Sequence, residues 1–545
     1  MIKKLINNTI FYEKPVQSVT AAAFVIAIAS IVSRILGLFR DRILASQFGA
    51  GDTLDVYYAA FRIPDFLYAI IITGAVGAAF IPVFTGLIFK NKEKEAWELA
   101  SGLLNLQAIV LGIFSLVVII FAPFIMKLLT PGFSGEKLEN ITLLTRILMI
   151  TPVIWSISAI FGGVLTSFKK FIILSLAPIL YNLGIIIGAL FFVKLWGLVG
   201  LAWGVILGVM LHALIQYPSV RRSGFHFHLV FFDCLKNNDI KRVFYLMIPR
   251  SLALGVSQVN LLTITVLAST LTSGSLAIFN FANNIQMAPL GIFAYSFSVA
   301  VFPVLSASFA REDRKDFVKN FSQTFRIILF FIIPISVFMI ILRAQIVRVL
   351  LGAGKFDWED TVLTFNTMGI LALSLAAQSA IPLLTRAFYA LQNTKTPFFV
   401  AIFTEGANII LAVLLIGRYN VEGLAIAFSI TSVLNAVILY IILEKHFHGL
   451  DERRCLKAFF KITLAAVGAG IVIQYSKEIV ALLMDIDTFL GIFTQLSVSA
   501  ILGSVVFIYL SGLLRIEEAH HLRQMISKRV FRTKQDIPEN INQIS

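Results

Sequence analysis

The sequence predicts an all-α polytopic membrane protein of about 14 transmembrane helices, with two pseudo-symmetric six-helix lobes and two further C-terminal helices. Three observations carry that expectation. Of 545 residues, 58% are hydrophobic and only 14% are charged, with a mean hydropathy of +0.89, a composition that soluble domains do not have. The apolar residues fall in windows of about 20, the length that crosses a hydrocarbon core. Short motifs then recur at a nearly constant offset, as in transporters built from internal duplicates.

Charged or Gly/Pro-rich gaps separate windows near 19–48, 59–88, 99–129, 139–168, 171–193, 198–217, 242–270, 275–309, 317–342, 360–391, 397–416, 421–443, 456–475 and 489–513. Lys3, Lys4 and Lys14 precede the first window as in a signal peptide. The run continues through Arg34 and Arg40 without a small-residue cleavage site, so it reads as a retained first span. Leu44-Ala45-Ser46 with Gly51 matches Leu267-Ala268-Ser269 with Gly274, and Phe80-Ile81-Pro82-Val83 matches Val301-Phe302-Pro303-Val304. Gly200-Leu201-Ala202 matches Gly423-Leu424-Ala425, and Asn182 falls opposite Asn408, at offsets of 221 to 226 residues. That spacing carries the first span onto the seventh. The expected parts are an N-terminal lobe at 1–220, a C-terminal lobe at 221–445, helices 13 and 14 within 446–513, and a basic tail at 514–545.

Loop charge sets the orientation. One set of loops holds Lys90, Lys92 and Lys94; Lys169 and Lys170; Arg221 to Arg242; Arg311 to Lys319; Lys395; Lys445 to Lys457; and the tail. The alternate set is poor in Lys and Arg, and its richest member, 343–360, also carries Asp357, Glu359 and Asp360. By the positive-inside rule both termini are cytoplasmic. The net charge of +15 is spread over these short loops, which reflects orientation and anionic headgroups and not nucleic acid. Cys234 and Cys455 fall in loops on the same side and are expected as free thiols. Neither a P-loop, an HExxH motif nor a CxxC pair is present, so ATP hydrolysis, a metal centre and a catalytic residue are not expected. His226-x-His228 and His446-x-His448 lack further ligands and read as solvated loop histidines.

The stretch that stands apart is Val32–Asp65, which places Arg34, Arg40, Asp41 and Arg42 inside a span and Asp55, Arg62 and Asp65 where the next begins. A charge at mid-helix costs about 2.5 to 3.5 kcal/mol on insertion scales, so these residues must line a wet cavity or pair with one another. In the cavity reading, Arg34, Arg40 and Arg62 receive an anion. Two guanidiniums on that scale suit a diphosphate, which they can hold bidentately. Asp41, Asp55 and Asp65 then orient the arginines. In the structural reading the same charges hold helices together. Arg34 and Asp41 share a face of an ideal helix, Arg40 points elsewhere, and Gly37 permits a bend.

Asn280, Asn283 and Asn284 fall on one face of the eighth span, with Gln286 nearby, as cavity lining or as interhelical hydrogen bonding. Arg386 and Arg250 lie near span ends, where snorkelling accounts for them. Glu405 and Asn408, three residues apart in an apolar segment, are the expected site of a coupling ion, because an intramembrane carboxylate needs a proton or cation.

SRILGLFRDRILASQFGAGDTLDVYYAAFRIPDFL, the GAAFIPVF after it, FPVLS at 302–306, LGAGKFD at 351–357 and RAFYALQNTKTP at 386–397 resemble the MurJ (MviN) lipid II flippases, a branch of the multidrug, oligosaccharidyl-lipid and polysaccharide exporters. The resemblance runs over nearly all the spans. It implies a flippase of the bacterial inner membrane, with a cationic cavity for the diphosphate-sugar headgroup of lipid II and helices 13 and 14 as a groove for its polyprenyl tail. The family's first-span arginines match Arg34 and Arg40, and its loop aspartate matches Asp55. Two departures make the cavity less charged: Asn283-Asn284 stand where relatives often carry Asp-Arg, and Tyr68 and Thr73 where many carry arginine and glutamate. Headgroup contacts must then lean on the first span, Arg62 and Arg386. The expected partners are lipid II and membrane lipids, handled by a monomer without a cofactor, with coupling to Na+ or membrane potential. Rival readings are an exporter of another polyprenyl-linked glycan, a drug or cation antiporter, a membrane-embedded glycosyl or phosphoryl transferase, and a non-transporting scaffold.

Overall fold

The computed structural model describes residues 19–73, 79–227, 238–447 and 449–520. Every regular element among them is helical. In chain order they are α1 (Val19–Phe48), α2 (Asp52–Ala60), α3 (Arg62–Leu67), α4 (Ile81–Phe89), α5 (Glu93–Leu129), α6 (Gly135–Leu148), α7 (Thr151–Ser167), α8 (Phe171–Ile187), α9 (Val193–Trp196) and α10 (Val199–Arg222). Then follow α11 (Asn238–Ser269), α12 (Ser275–Pro289), α13 (Ser296–Ala310), α14 (Arg314–Ile341), α15 (Arg343–Leu350), α16 (Trp358–Leu373), α17 (Leu375–Ala390), α18 (Lys395–Phe447), α19 (Glu452–Leu483) and α20 (Phe489–Leu513). Nine helical stretches among the described residues are long and apolar enough to cross a membrane. A tenth is the pair α16–α17, bent by 49°. The 53-residue α18 is two helices meeting at Asn420, whose φ of 47° is not helical. The expected spans at 19–48, 59–88 and 242–270 run through stretches that are only partly described. Cys455, expected in a loop, is a buried free thiol in the first turn of α19, and Cys234 lies outside the described residues.

The internal repeat of the sequence has a backbone counterpart. Left-handed residues end the helices at Asn91 and Lys169, and again at Glu312 and Gln392, one repeat later. Gly197 and Asn420 correspond in the same way. A π-helical turn at Tyr68–Thr73 recurs at Leu290–Tyr295. Such turns widen the helix and leave carbonyls with altered partners, a common feature of functional segments.

The chain forms two compact units. One comprises 1–285, 350–367 and 401–428, the other 286–349, 368–400 and 429–545. In the first, Phe80, Phe84, Leu99, Leu103, Ile160 and Val164 form a core closed by Trp97. There α8 and α10 lie so close that a Cβ on Gly184, Gly188, Gly204 or Gly208 would overlap the backbone opposite. Small residues four apart allow this approach, which in lipid is driven by packing and not by water exclusion. In the second unit, Leu329, Ile333, Ile462, Ala465, Ala469 and Phe507 join α14, α19 and α20.

Candidate substrate-binding site

The charged stretch of the first unit folds into two linked clusters. In the first, Asp41 is 3% exposed and uses both carboxylate oxygens. Arg40 donates to Oδ1 from Nη2 at 2.7 Å and from Nε at 3.0 Å. Asn284 donates to Oδ2 from Nδ2 at 3.0 Å. Arg40 Nη1 donates to Asn182 Oδ1 at 3.1 Å, so the guanidinium is fixed in orientation by α1 and α8 together.

In the second cluster, buried Arg62 donates from Nε to Thr265 Oγ1 at 2.7 Å and from Nη2 to Asn280 Oδ1 at 3.0 Å. Its hydrogen-bond partners here are neutral, and the acidic group in electrostatic range of it is Asp65. Asp65, one turn on, is exposed. Tyr57, Tyr58 and Tyr181 lie within electrostatic range of Arg40, and Tyr58 Oη is buried without a hydrogen-bond partner among the described residues. These groups can seat an anion. Aligned N–H donors bind phosphate oxygens, and the aromatic rings and amides suit a sugar.

The remaining predicted residues lie elsewhere. Arg34, two turns before Arg40 on α1, is exposed, and Asn283 is half-buried beside Asn284. Arg386 belongs to the second unit, where Nη1 donates at 3.2 Å to the Tyr295 carbonyl at the end of a π turn. The side chain of Arg250 lies outside the described residues.

Asp55 does not meet an arginine. Its Oδ2 accepts from Lys137 Nζ at 2.9 Å and from the Gly274 amide at 2.8 Å, and its Oδ1 accepts from the Ala277 amide at 3.0 Å. It thereby caps α12, where the helix N-terminus favours an anion. Burial pushes the Asp55 carboxyl above its ordinary value, against the pull of Lys137 and the two amides. At Asp52 partial burial acts the same way, but hydrogen bonds from Lys137 and Ser273 outweigh it and hold that carboxyl low. The Ala50 amide donates to Asp360 Oδ2 at 2.8 Å, and the Lys355 amide to the Ser46 carbonyl at 2.8 Å. The Gly132 amide reaches Ser269 Oγ at 3.3 Å. Four loops of the Lys/Arg-poor side are thus tied together. Gly274, with φ of +87°, passes so close to the Ala50 carbonyl that no side chain fits.

Glu405 and Asn408 do come together, with a partner that sequence reasoning missed. Asn260 on α11 donates to Glu405 Oε2 at 2.8 Å. Glu405 also shares a hydrogen bond with Asn408. Glu405 Oε1 and Asn408 Oδ1 are buried without a partner among the described residues. Asn182, Thr265 and Tyr58 were missed too. Asn182 had a signal, being the one amide side chain in an apolar span; Thr265 and Tyr58 had none.

The chain was compared with known proteins. A family model described as lipid II flippase MurJ matches residues 44–494. A probable lipid II flippase MurJ of Bdellovibrio bacteriovorus is 29% identical over 93% of this chain and 97% of its own length. Its counterpart in Rickettsia prowazekii is 28% identical over 91% and 97%. Among solved structures, a lipid II flippase MurJ in an inward closed conformation superposes with a TM-score of 0.75 at 25% identity, covering 92% of this chain and all of the other. An inward-facing MATE-family multidrug transporter superposes at 0.64 with 17% identity over 77% of this chain and 96% of its own, a likeness of fold alone. With the family model spanning most of its length, the chain belongs to the lipid II flippase MurJ family.

Proposed function

We infer that the chain moves lipid II, the undecaprenyl-linked peptidoglycan precursor, from the inner to the outer leaflet of the bacterial cytoplasmic membrane by alternating access. One observation carries the site: Arg40 is held by Asp41 and Asn182 within a span, with Tyr57, Tyr58 and Tyr181 in electrostatic range. A guanidinium fixed before binding loses little freedom on gripping a diphosphate. Arg62 adds a second cation with uncommitted donors. Asp41 and Asp55 act through their neighbours: Asp41 aims Arg40, and Asp55 ties loops. Both termini lie in the cytoplasm on this reading, and the chain works as a monomer.

The tied loops form the outer gate. Asp41–Asn284, Arg62–Thr265 and Asp55–Gly274 each join the first sequence repeat to the second. With these bonds made, the outer loops are held together. Release outward requires the Asp52, Asp55 and Asp360 contacts to break.

Coupling to Na+ is supported by the Asn260–Glu405–Asn408 group, where a carboxylate oxygen and an amide oxygen lack partners. Hard oxygen donors of that kind suit a small alkali cation. A drug or cation antiporter, and an exporter of a different glycan, are less well supported, because the fixed cations at Arg40 and Arg62 suit a diphosphate better than a cation.

The test is movement of fluorescent lipid II in vesicles containing the purified chain. Wild type should expose the protected label to a membrane-impermeant quencher, and a sodium gradient should speed it. Arg40→Ala should abolish movement, and Glu405→Gln should remove the sodium dependence while leaving lipid II binding. Equal rates with and without sodium for wild type would remove the ion site from the account.

A further inference from the structure

The first unit holds a row of aromatic rings that runs from the Arg40 cluster to α10, most of which the transport reading does not use. Trp155 on α7 is its hub. Its ring lies 5.2 Å from Tyr68, 5.3 Å from Tyr181 and 4.7 Å from His212, centroid to centroid. Tyr68 opens the π turn and packs with Trp155 against the core of Leu67, Ile72, Leu111 and Met149. All four rings are half-buried, so each keeps part of its surface open. Gly208, one turn before His212, lets α10 close on Tyr181, because a Cβ there would overlap the Tyr181 carbonyl. Tyr181 precedes Asn182, the residue that holds Arg40, and both Arg40 and Asp65 lie within electrostatic range of the Tyr181 hydroxyl.

Polar groups flank the row. Behind His212, buried Gln216 donates from Nε2 to Ser158 Oγ at 2.7 Å, and Ser158 Oγ lies 2.6 Å from His212 Nδ1. The Ser158 hydroxyl, having accepted from Gln216, has its own proton to give, and Nδ1 is the acceptor in reach. Nδ1 is thus unprotonated and the ring proton sits on Nε2, a tautomer that follows from the network. Neither His212 Nε2 nor Trp155 Nε1 makes a hydrogen bond among the described residues, and neither is sealed within the fold. Both are open donors. Asp65 supplies an acceptor. Its side chain is exposed although it lies deep within protein, and its carboxylate makes no hydrogen bond or ion pair among the described residues.

We propose that Tyr68, Trp155 and Tyr181, with Asp65 and His212, hold a pyranose ring of the transported headgroup. The proposal rests on the reading of Arg40 as the diphosphate site and names what lies beside it. A sugar diphosphate requires such an adjoining site, since its ring is one oxygen from the phosphate. A pyranose has an apolar face of C–H groups and a rim of hydroxyls that both donate and accept. The aromatic row meets the face, Asp65 accepts from the hydroxyls, and the Trp155 and His212 N–H groups donate to them. Other occupants fit less well. A second phosphate or a peptide carboxylate is repelled by Asp65. An organic cation suits rings and a carboxylate, but it accepts nothing from two N–H donors and meets the charges of Arg40 and Arg62.

The full chain, purified in detergent, is titrated with undecaprenyl diphosphate, bare or carrying the disaccharide without its peptide, and bound mass is read by native mass spectrometry. Wild type should bind the glycosylated lipid about tenfold more tightly than the bare one. Trp155→Leu and Asp65→Ala should each erase most of that gain and still bind the bare lipid as wild type does, which also shows that the variants fold. Trp155→Phe, which keeps a ring, should retain more of the gain than Trp155→Leu. The proposal is overturned if wild type does not distinguish the two lipids, if Trp155→Leu and Asp65→Ala keep the full gain, or if they weaken both lipids equally, the mark of a structural role. Tetraphenylphosphonium bound by wild type and lost in Asp65→Ala, with the sugar gain intact in that variant, would make this a cation site instead. Arg40→Ala should weaken both lipids. Failure of the diphosphate reading therefore shows in the bare lipid, and failure of the sugar site shows in the difference between the two.

Discussion

At the scale of single residues, the clearest arrangement is Asp41 between Arg40 and Asn284. A carboxylate at 3% exposure inside a membrane segment persists because both oxygens accept hydrogen bonds, two of them from a cation. Removing one member of a buried pair typically costs about 3 to 5 kcal/mol, and here less, because the Arg40 side chain keeps 20% exposure. Asp41→Ala should therefore lower the melting temperature and stop transport. Arg40→Ala/Asp41→Ala should recover much of the melting temperature and none of the transport, as measured by thermal unfolding beside the vesicle assay. Equal stability of both variants would mean that the pair carries no coupling. The arginines were legible in the sequence because charge inside an apolar window stands out. Their partners were less so: Asn284 was visible as a polar position, but its contact with Asp41 joins residues far apart in the chain. Thr265 looks like any other helical threonine, whose hydroxyl ordinarily bonds its own helix, yet it also accepts from Arg62.

At the scale of elements, the loops of the Lys/Arg-poor side are tied together by hydrogen bonds, which we propose act as a latch. Hydrogen bonds to charged groups contribute about 1.5 to 3 kcal/mol each, and Lys137 makes two, to Asp52 and Asp55. Lys137→Ala should shift the population toward the outward-open state. A cysteine placed at buried Ala277, in a chain whose own two cysteines are replaced by serine, should then react several-fold faster with an impermeant thiol reagent added outside. Unchanged labelling would mean that the loops are held by something other than this latch. The sequence showed Asp55 as a family position but not its role, because the capped helix begins more than two hundred residues later. The contact of α8 with α10 makes a second element-scale prediction. Gly204→Leu has no room against Gly188 and should destabilise by about 3 kcal/mol or more, measured as loss of folded protein in detergent.

At the scale of the molecule, the duplicated sequence organises the chemistry. Within a turn of one repeat beyond Arg40 and Asn182 stand Asn260 and Glu405, and each pair is joined by a hydrogen bond. The first copy presents a cation, suited to an anionic headgroup, and the second presents a carboxylate, suited to a coupling ion. Helical class and duplication were readable from hydropathy and motif spacing because both are periodic along the chain. The two compact units were not, because each gathers discontinuous segments, and the first takes in parts of both repeats. The central claim concerns the whole machine: the Arg40 cluster is where lipid II is gripped during transfer. Its most direct test is lipid II exposure on the outer leaflet of cells whose own flippase can be switched off, supplied with this chain as wild type or Arg40→Ala at matched membrane levels. Wild type should restore exposure and Arg40→Ala should not; restoration by both to the same extent would contradict the account.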